Sequence, residues 1–233
     1  MNKYKGICVE TVGKQAIFFD LDGTLIDSVP DLTLAINDML KELGRTPFDE
    51  ATVRDWVGNG SVMLVKRALA GKREVDENSI DEALFLEAHT IFLEAYEKHL
   101  CDATRPYPGV PETLRELKNS GYRLAIITNK PHRFVYPILQ RLQLDDLFSF
   151  FFGGDTLPKK KPDPLPLEQM CEMMELPKEA CVMVGDSAND LLAANAAGID
   201  AIGVTYGYSC GEDLRTFKPV AVVDDFRELL KIF

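Results

Sequence analysis

Unbroken apolar runs, rich in β-branched and aromatic residues, recur along the chain: AIFF (16–19), LAIIT (124–128), FSFFF (148–152), CVMVG (181–185), AIGVT (201–205) and VAVV (220–223). Continuous rather than alternating hydrophobicity is the pattern of a strand buried on both faces. Between most of the later runs the period becomes helical. Leu114 and Leu117 follow Pro111 and stop before Gly121, Ile138, Leu139 and Leu142 share a face after Pro131, and Leu191, Leu192 and Ala196 do so before Gly198. Strand and helix in alternation predict a parallel sheet with helices on both sides.

The alternation breaks after the first strand. From about Asp27 to Thr104 only helical patterns occur. Leu32, Ala35, Ile36, Met39, Leu40 and Leu43 form one stripe ended by Gly44. Val62, Val65 and Leu69, then Ile80, Ala83, Leu84, Ala88, Ile91 and Ala95, predict two more helices. Pro106, Pro108 and Pro111 mark the return to the strand-bearing region. The expected architecture is therefore α/β: a doubly wound (Rossmann-like) parallel sheet core from residues 1–26 and 105–233, with an all-helical cap domain, residues 27–104, inserted into it. No internal repeat is visible.

Charge narrows the partners. The 233 residues carry 26 Lys and Arg against 37 Asp and Glu, a net charge of -11. Nucleic-acid and anionic-membrane binders usually show a basic surplus, so neither partner is expected. No apolar run approaches the ~18 residues of a membrane span. MNKYKGICVETVGKQ lacks the apolar stretch of a secretory signal. Five dispersed cysteines (Cys8, Cys101, Cys171, Cys181, Cys210) without a C-x-x-C pair fit reduced thiols in the cytoplasm. A monomer and a homodimer are equally compatible with the sequence.

Candidate chemistry is concentrated in AIFFDLDGTL (16–25). Asp20 ends an apolar strand and Asp22 follows at i+2, so in an extended chain both carboxylates face one side. Gly23 permits a sharp turn that the Thr24 hydroxyl can tie. Neighbouring like charges repel unless a cation or a shared proton relieves them, and a metal ion is the expected companion. A calcium EF-hand loop is excluded, because its glycine is the sixth residue and Gly23 is the fourth.

D-x-D-G-T after a first strand resembles the first motif of the haloacid dehalogenase superfamily. The other motifs follow in the family's order: Thr128 ending LAIIT, Lys161 in KPDP, and Asp186 with Asp190 in GDSAND. The helical insertion is similar to the family's alpha-helical cap. WVGNG (56–60), TNKP (128–131), LPKKKPDPLP (157–166) and TYGY (205–208) resemble the bacterial phosphoglycolate phosphatases. A dehalogenase has no leaving alcohol to protonate and would lack the second aspartate. The resemblance implies a magnesium-dependent hydrolysis of 2-phosphoglycolate to glycolate and phosphate through an aspartyl-phosphate. It makes Asp20 the nucleophile, Asp22 the acid and then the base, Thr128 a donor to a phosphoryl oxygen, and Lys161 the charge between nucleophile and phosphate. Mg2+ would be held by the Asp20 and Asp186 carboxylates and the Asp22 backbone carbonyl. Asp190 would hold the metal's waters or Lys161.

The cap loop Gly58, Asn59 and Gly60, together with Arg67 and Asn129, are the candidate substrate contacts, Arg67 because its fork suits a carboxylate. Lys159 and Lys160 read as solvated charge. His132 reads as an exposed helix start, Trp56 as cap packing, and His89 with His99 as no ligand pair. The alternatives are an inorganic pyrophosphatase, another small phosphomonoesterase, a phosphosugar mutase, a phosphonate hydrolase using Lys66 or Lys72 as a Schiff base, and, in another class, a phospho-receiver signalling module.

Overall fold

The computed structural model describes residues 13–76, 79–209 and 211–233; the expectations attached to the amino-terminal extension, Cys8 and Cys210 lie outside them. The core is a six-stranded parallel sheet ordered β5 (Phe150–Phe152), β4 (Arg123–Ile127), β1 (Ala16–Phe19), β6 (Cys181–Gly185), β7 (Asp200–Val204) and β8 (Ala221–Val223). All six strands coincide with the apolar runs of the sequence to within a residue or two.

Side chains alternate between the two faces. Ile17, Phe19, Leu124, Ile126, Val182 and Val184 join one core cluster with α5 (Val110–Asn119) and α6 (His132–Arg141). Ala16, Phe18, Ala125, Ile127, Cys181 and Met183 join a second with α7 (Leu165–Met174) and α8 (Ala188–Ala197). Phe18 and Phe19 are fully buried on opposite faces, worth about 1.5–3 kcal/mol each. The expected face of α8 is corrected: Leu191, Ala194 and Ala197 are buried, whereas Leu192 is 43% exposed and Ala196 is exposed. Small alanines let this helix lie close to the sheet, and the seam follows i, i+3 spacing.

The insertion leaves and returns through a two-stranded antiparallel ribbon, β2 (Ile26–Asp27) with β3 (Arg105–Pro106). Between them lie α1 (Val29–Glu42), α2 (Glu50–Arg54), α3 (Ser61–Ala70) and α4 (Glu82–Lys98). Five residues are too few to show a period, which is why α2 left no trace in the pattern. In α4 the buried stripe is Ala88, Phe92, Ala95 and Tyr96; Ile80 precedes the helix and Ala83 is exposed. Asp81 caps α4 by accepting from Leu84 N–H at 2.9 Å. Asp31 of α1, fully buried, accepts from Ala103 N–H, Thr104 N–H and the Thr104 hydroxyl at 2.8, 2.8 and 2.6 Å, fastening the returning chain. Among the described residues no helix is long and apolar enough to cross a membrane. Cys101, Cys171 and Cys181 are free thiols.

Candidate active site

The three central strands end level. Phe19 is in register with Ile126 of β4 and Val184 of β6, so Asp20, Thr128 and Asp186 emerge together at the carboxyl edge, where open α/β sheets bind ligands. Asp20, 8% exposed, meets Lys161 Nζ at 2.9 Å. Lys161 also donates to Asp190 Oδ1 and to the Ile127 carbonyl, each at 2.5 Å. Asp190 Oδ2 accepts from Ser187 N–H at 3.1 Å and its hydroxyl at 2.7 Å, a capping box opening α8. Asp186 accepts from the Thr24 hydroxyl at 2.9 Å and Tyr208 N–H at 2.6 Å. Thr24 therefore ties the first motif to the fourth rather than closing its own turn. Gly23, at φ 90°, is required here: a Cβ would lie 2.2 Å from Asp186 Oδ2.

One carboxylate oxygen each from Asp20, Asp186 and Asp190 lie within 4.8 Å of one another. Burial, helped by the Asp190 and Asp22 charges, outweighs the pull of the Lys161 ammonium and pushes Asp20 up to about 6. Burial, then Asp190 and Asp20, holds Asp186 well above the usual carboxylate range. Burial alone would discharge Lys161, but Asp190 and Asp20 more than offset it, and its ammonium is raised. Three crowded hard oxygen donors, two of them resisting ionisation, fit a divalent cation.

Asp22 stands apart from that cluster. Its carboxylate accepts from Lys130 Nζ at 2.9 and 3.1 Å and from the Ser28 hydroxyl at 2.5 Å. The expectation that the two aspartate side chains converge on one cation is corrected: both line the cleft, but a lysine relieves Asp22. Lys130 is 4% exposed and lies 4.6 Å from the centre of the Tyr96 ring, on cap helix α4.

The cleft encloses about 560 Å³ including its open mouth, a size suited to a small ligand. Its core wall holds Asp20, Asp22, Thr128, Asn129, Lys130, Lys161 and Asp190. Gly58 and Gly60 line it from the cap, and they engage the core through carbonyls: the Gly58 oxygen accepts from Asn189 Nδ2 at 3.2 Å and Asn129 Nδ2 at 3.4 Å. The Asn129 amide also donates to the Lys161 carbonyl at 3.0 Å.

Three expectations fail here. Arg67 does not line the cleft; its guanidinium donates to the carbonyls of Trp56 at 2.6 Å and Arg73 at 3.0 Å, because the loops flanking α3 leave those oxygens without helical partners. Asn59 is outside the lining too, its carbonyl taken by Lys160 at 2.9 Å. Lys160 is thereby a strap between core and cap rather than solvated charge, whereas Lys159 pairs on the surface with Asp163. Lys66 lies over the Phe85 ring and Lys72 is exposed, so neither lines the cleft for a Schiff base. His132 is an exposed helix start, and His89 meets the Ser61 hydroxyl at 2.9 Å while His99 meets Asp38. Trp56 packs edge-on against Phe48 within the cap.

The sequence reading missed Lys130, Tyr208, Ser28 and Tyr96. Tyr208 N–H binds Asp186 while its hydroxyl donates to Asp27 and accepts from Ser28 N–H, and Arg54 of the cap lies over its ring. Lys130 and Tyr208 sit in the strings TNKP and TYGY, which signalled a motif but not a role.

Comparison with known proteins agrees with this geometry. The family model described as haloacid dehalogenase-like hydrolase matches residues 17–204. The phosphoglycolate phosphatase of Colwellia psychrerythraea is 50% identical over 217 residues, covering 93% of this chain and 96% of its own, and that of Psychrobacter arcticus is 49% identical over 217 residues, covering 93% and 94%. A crystal structure from Haemophilus somnus 129PT, described as a predicted phosphoglycolate phosphatase, superposes with a TM-score of 0.86 at 41% identity, covering 94% of this chain and 98% of its own. With sequence, overall length and fold shared, the chain belongs to the haloacid dehalogenase-like hydrolases and, within them, to the phosphoglycolate phosphatase family.

Proposed function

We propose that this chain hydrolyses 2-phosphoglycolate to glycolate and phosphate, with Mg2+ as its cofactor, in the cytoplasm. The observation that carries the reading is Lys161, buried and bonded to both Asp20 and Asp190 beside Thr128, in a small cleft roofed by the inserted helices.

Asp20 attacks phosphorus through a carboxylate oxygen, and the bond from phosphorus to the glycolate oxygen breaks. Asp22 gives a proton to the departing oxygen, then takes one from the water that cleaves the aspartyl-phosphate and regenerates Asp20. The Thr128 hydroxyl and the Lys161 ammonium hold phosphoryl oxygens and balance charge that develops on them. The carboxylates of Asp20 and Asp186 and the Asp22 backbone carbonyl would hold magnesium, which when bound would supply charge neutralisation for the phosphoryl group. Asp190 keeps Lys161 in place. Residues 27–104 act as a cover that turns on the β2–β3 ribbon and keeps water out during the first step.

A substrate panel with magnesium tests the reading. Turnover of 2-phosphoglycolate should exceed that of p-nitrophenyl phosphate, glucose phosphates and pyrophosphate; a preference for any of these overturns the substrate assignment. Asp20→Asn should abolish phosphate release, and Asp22→Asn should lower kcat by about 10²–10⁴-fold. Retained turnover in Asp20→Asn rejects the nucleophile.

A further inference from the structure

The substrate proposed above carries a carboxylate as well as a phosphate, yet the cap wall of the cleft is apolar where Leu32, Val57, Leu64 and Phe92 line it. The lysines of that lining are Lys130 and Lys161, both from the core. Lys161 is committed to Asp20 and Asp190. Lys130 bonds the Asp22 carboxylate through its ammonium, which also lies beside the Tyr96 side chain. Against Lys130 stands Tyr96, whose ring is 1% exposed and whose hydroxyl makes no hydrogen bond of good geometry. Burial raises that hydroxyl above its ordinary range, so it stays a donor. A buried hydroxyl whose own proton has no acceptor, held against a buried ammonium, is complementary to a carboxylate.

We propose that Lys130 from the core and the Tyr96 hydroxyl from α4 form the receptor for the substrate's carboxylate. The inference rests on the phosphoglycolate reading and deepens it. The carboxylate then bridges core and cap, since one of its oxygens meets a residue following β4 and the other a residue of the inserted helices. A phosphate ester without a carboxylate loses this bridge while keeping every contact to phosphorus. Selectivity resides in a pair drawn from two parts of the fold.

The test is equilibrium titration, with magnesium present, of two non-hydrolysable probes: 3-phosphonopropionate and propylphosphonate, which differ in carrying a carboxylate or a methyl group. The wild-type protein should prefer the first. Lys130→Gln should cut that preference by about 30-fold and Tyr96→Phe by about 5-fold, the loss expected for a charged and a neutral hydrogen bond; Lys130→Arg should retain most of it. A purely structural role for either residue would weaken both probes alike and leave the ratio unmoved. A wild-type preference that survives unchanged in both Lys130→Gln and Tyr96→Phe overturns the receptor alone. Absence of any preference in the wild type overturns the phosphoglycolate reading and the receptor with it.

Discussion

Tyr96 pairs a fully enclosed ring with a hydroxyl that finds no good partner. Removing the oxygen should therefore cost the ligand-free protein nothing. Tyr96→Phe is expected to leave stability unchanged or raise it by about 1 kcal/mol, since an unmet buried donor carries a desolvation penalty. The urea midpoint of the ligand-free protein checks this, and a fall of more than about 1 kcal/mol would mean the hydroxyl has a partner after all. At this scale the sequence disclosed the residues whose spacing is itself chemical: Asp20 and Asp22 two apart, Asp186 and Asp190 four apart. It did not disclose residues whose meaning depends on a distant neighbour. Lys130 acquires its role from Asp22, 108 positions away, and Tyr208 from Asp27, 181 positions away. Arg67 fails for the converse reason, because a guanidinium in a helical pattern looks the same whether it faces a ligand or two loop carbonyls.

Strands were legible because a sheet covered on both faces demands unbroken hydrophobicity, and AIFF or CVMVG satisfies that with no reference to the rest of the fold. Helix faces were less so. Leu192 looked like core from its type, but alanines set how close α8 lies. Within the cap, α4 and α1 are joined at a polar point: His99, following α4, meets Asp38 Oδ2 at 2.9 Å and Asp102 Oδ2 at 3.2 Å. The hydrogen bond to Asp38 chiefly raises His99 above its ordinary value, and the same bond lowers Asp38. A raised histidine contributes stability that is complete below its unfolded value near 6.5 and lost as pH rises through its folded value. His99→Gln should therefore destabilise the protein by about 0.2–1 kcal/mol at pH 5.5, the worth of a partly exposed pair, and by less at pH 9. Thermal denaturation at the two pH values measures the difference; an equal loss at both would show that charge is not involved.

For the molecule as a whole, the acidic cluster sets the response to pH and metal. Asp20, pushed up to about 6, and Asp186, also held well above its ordinary value, bind protons more tightly folded than unfolded. Stability of the metal-free protein contributed by these groups must then fall as pH rises from about 4 through 6, the reverse of an ordinary ion-paired carboxylate. A cation that binds the ionised cluster restores it, by about 2.7 kcal/mol at a concentration one hundred times its Kd. The gap in Tm between magnesium and a chelator should accordingly be wider at pH 7.5 than at pH 5. Equal gaps would contradict a metal site built on these carboxylates.

The strand order has a consequence for how the chain is made. β1 lies between β4 and β6, so the segment carrying Asp20 borders residues 123–127 and 181–185 and nothing nearer in sequence. A ribosome releases AIFF long before either neighbour exists. Until then its hydrogen-bonding edges stay open, and the intervening α1–α4 can compact first. Translation that stops before residue 181 would leave that edge bare beside Asp20, a nascent chain in need of a chaperone rather than a partial enzyme.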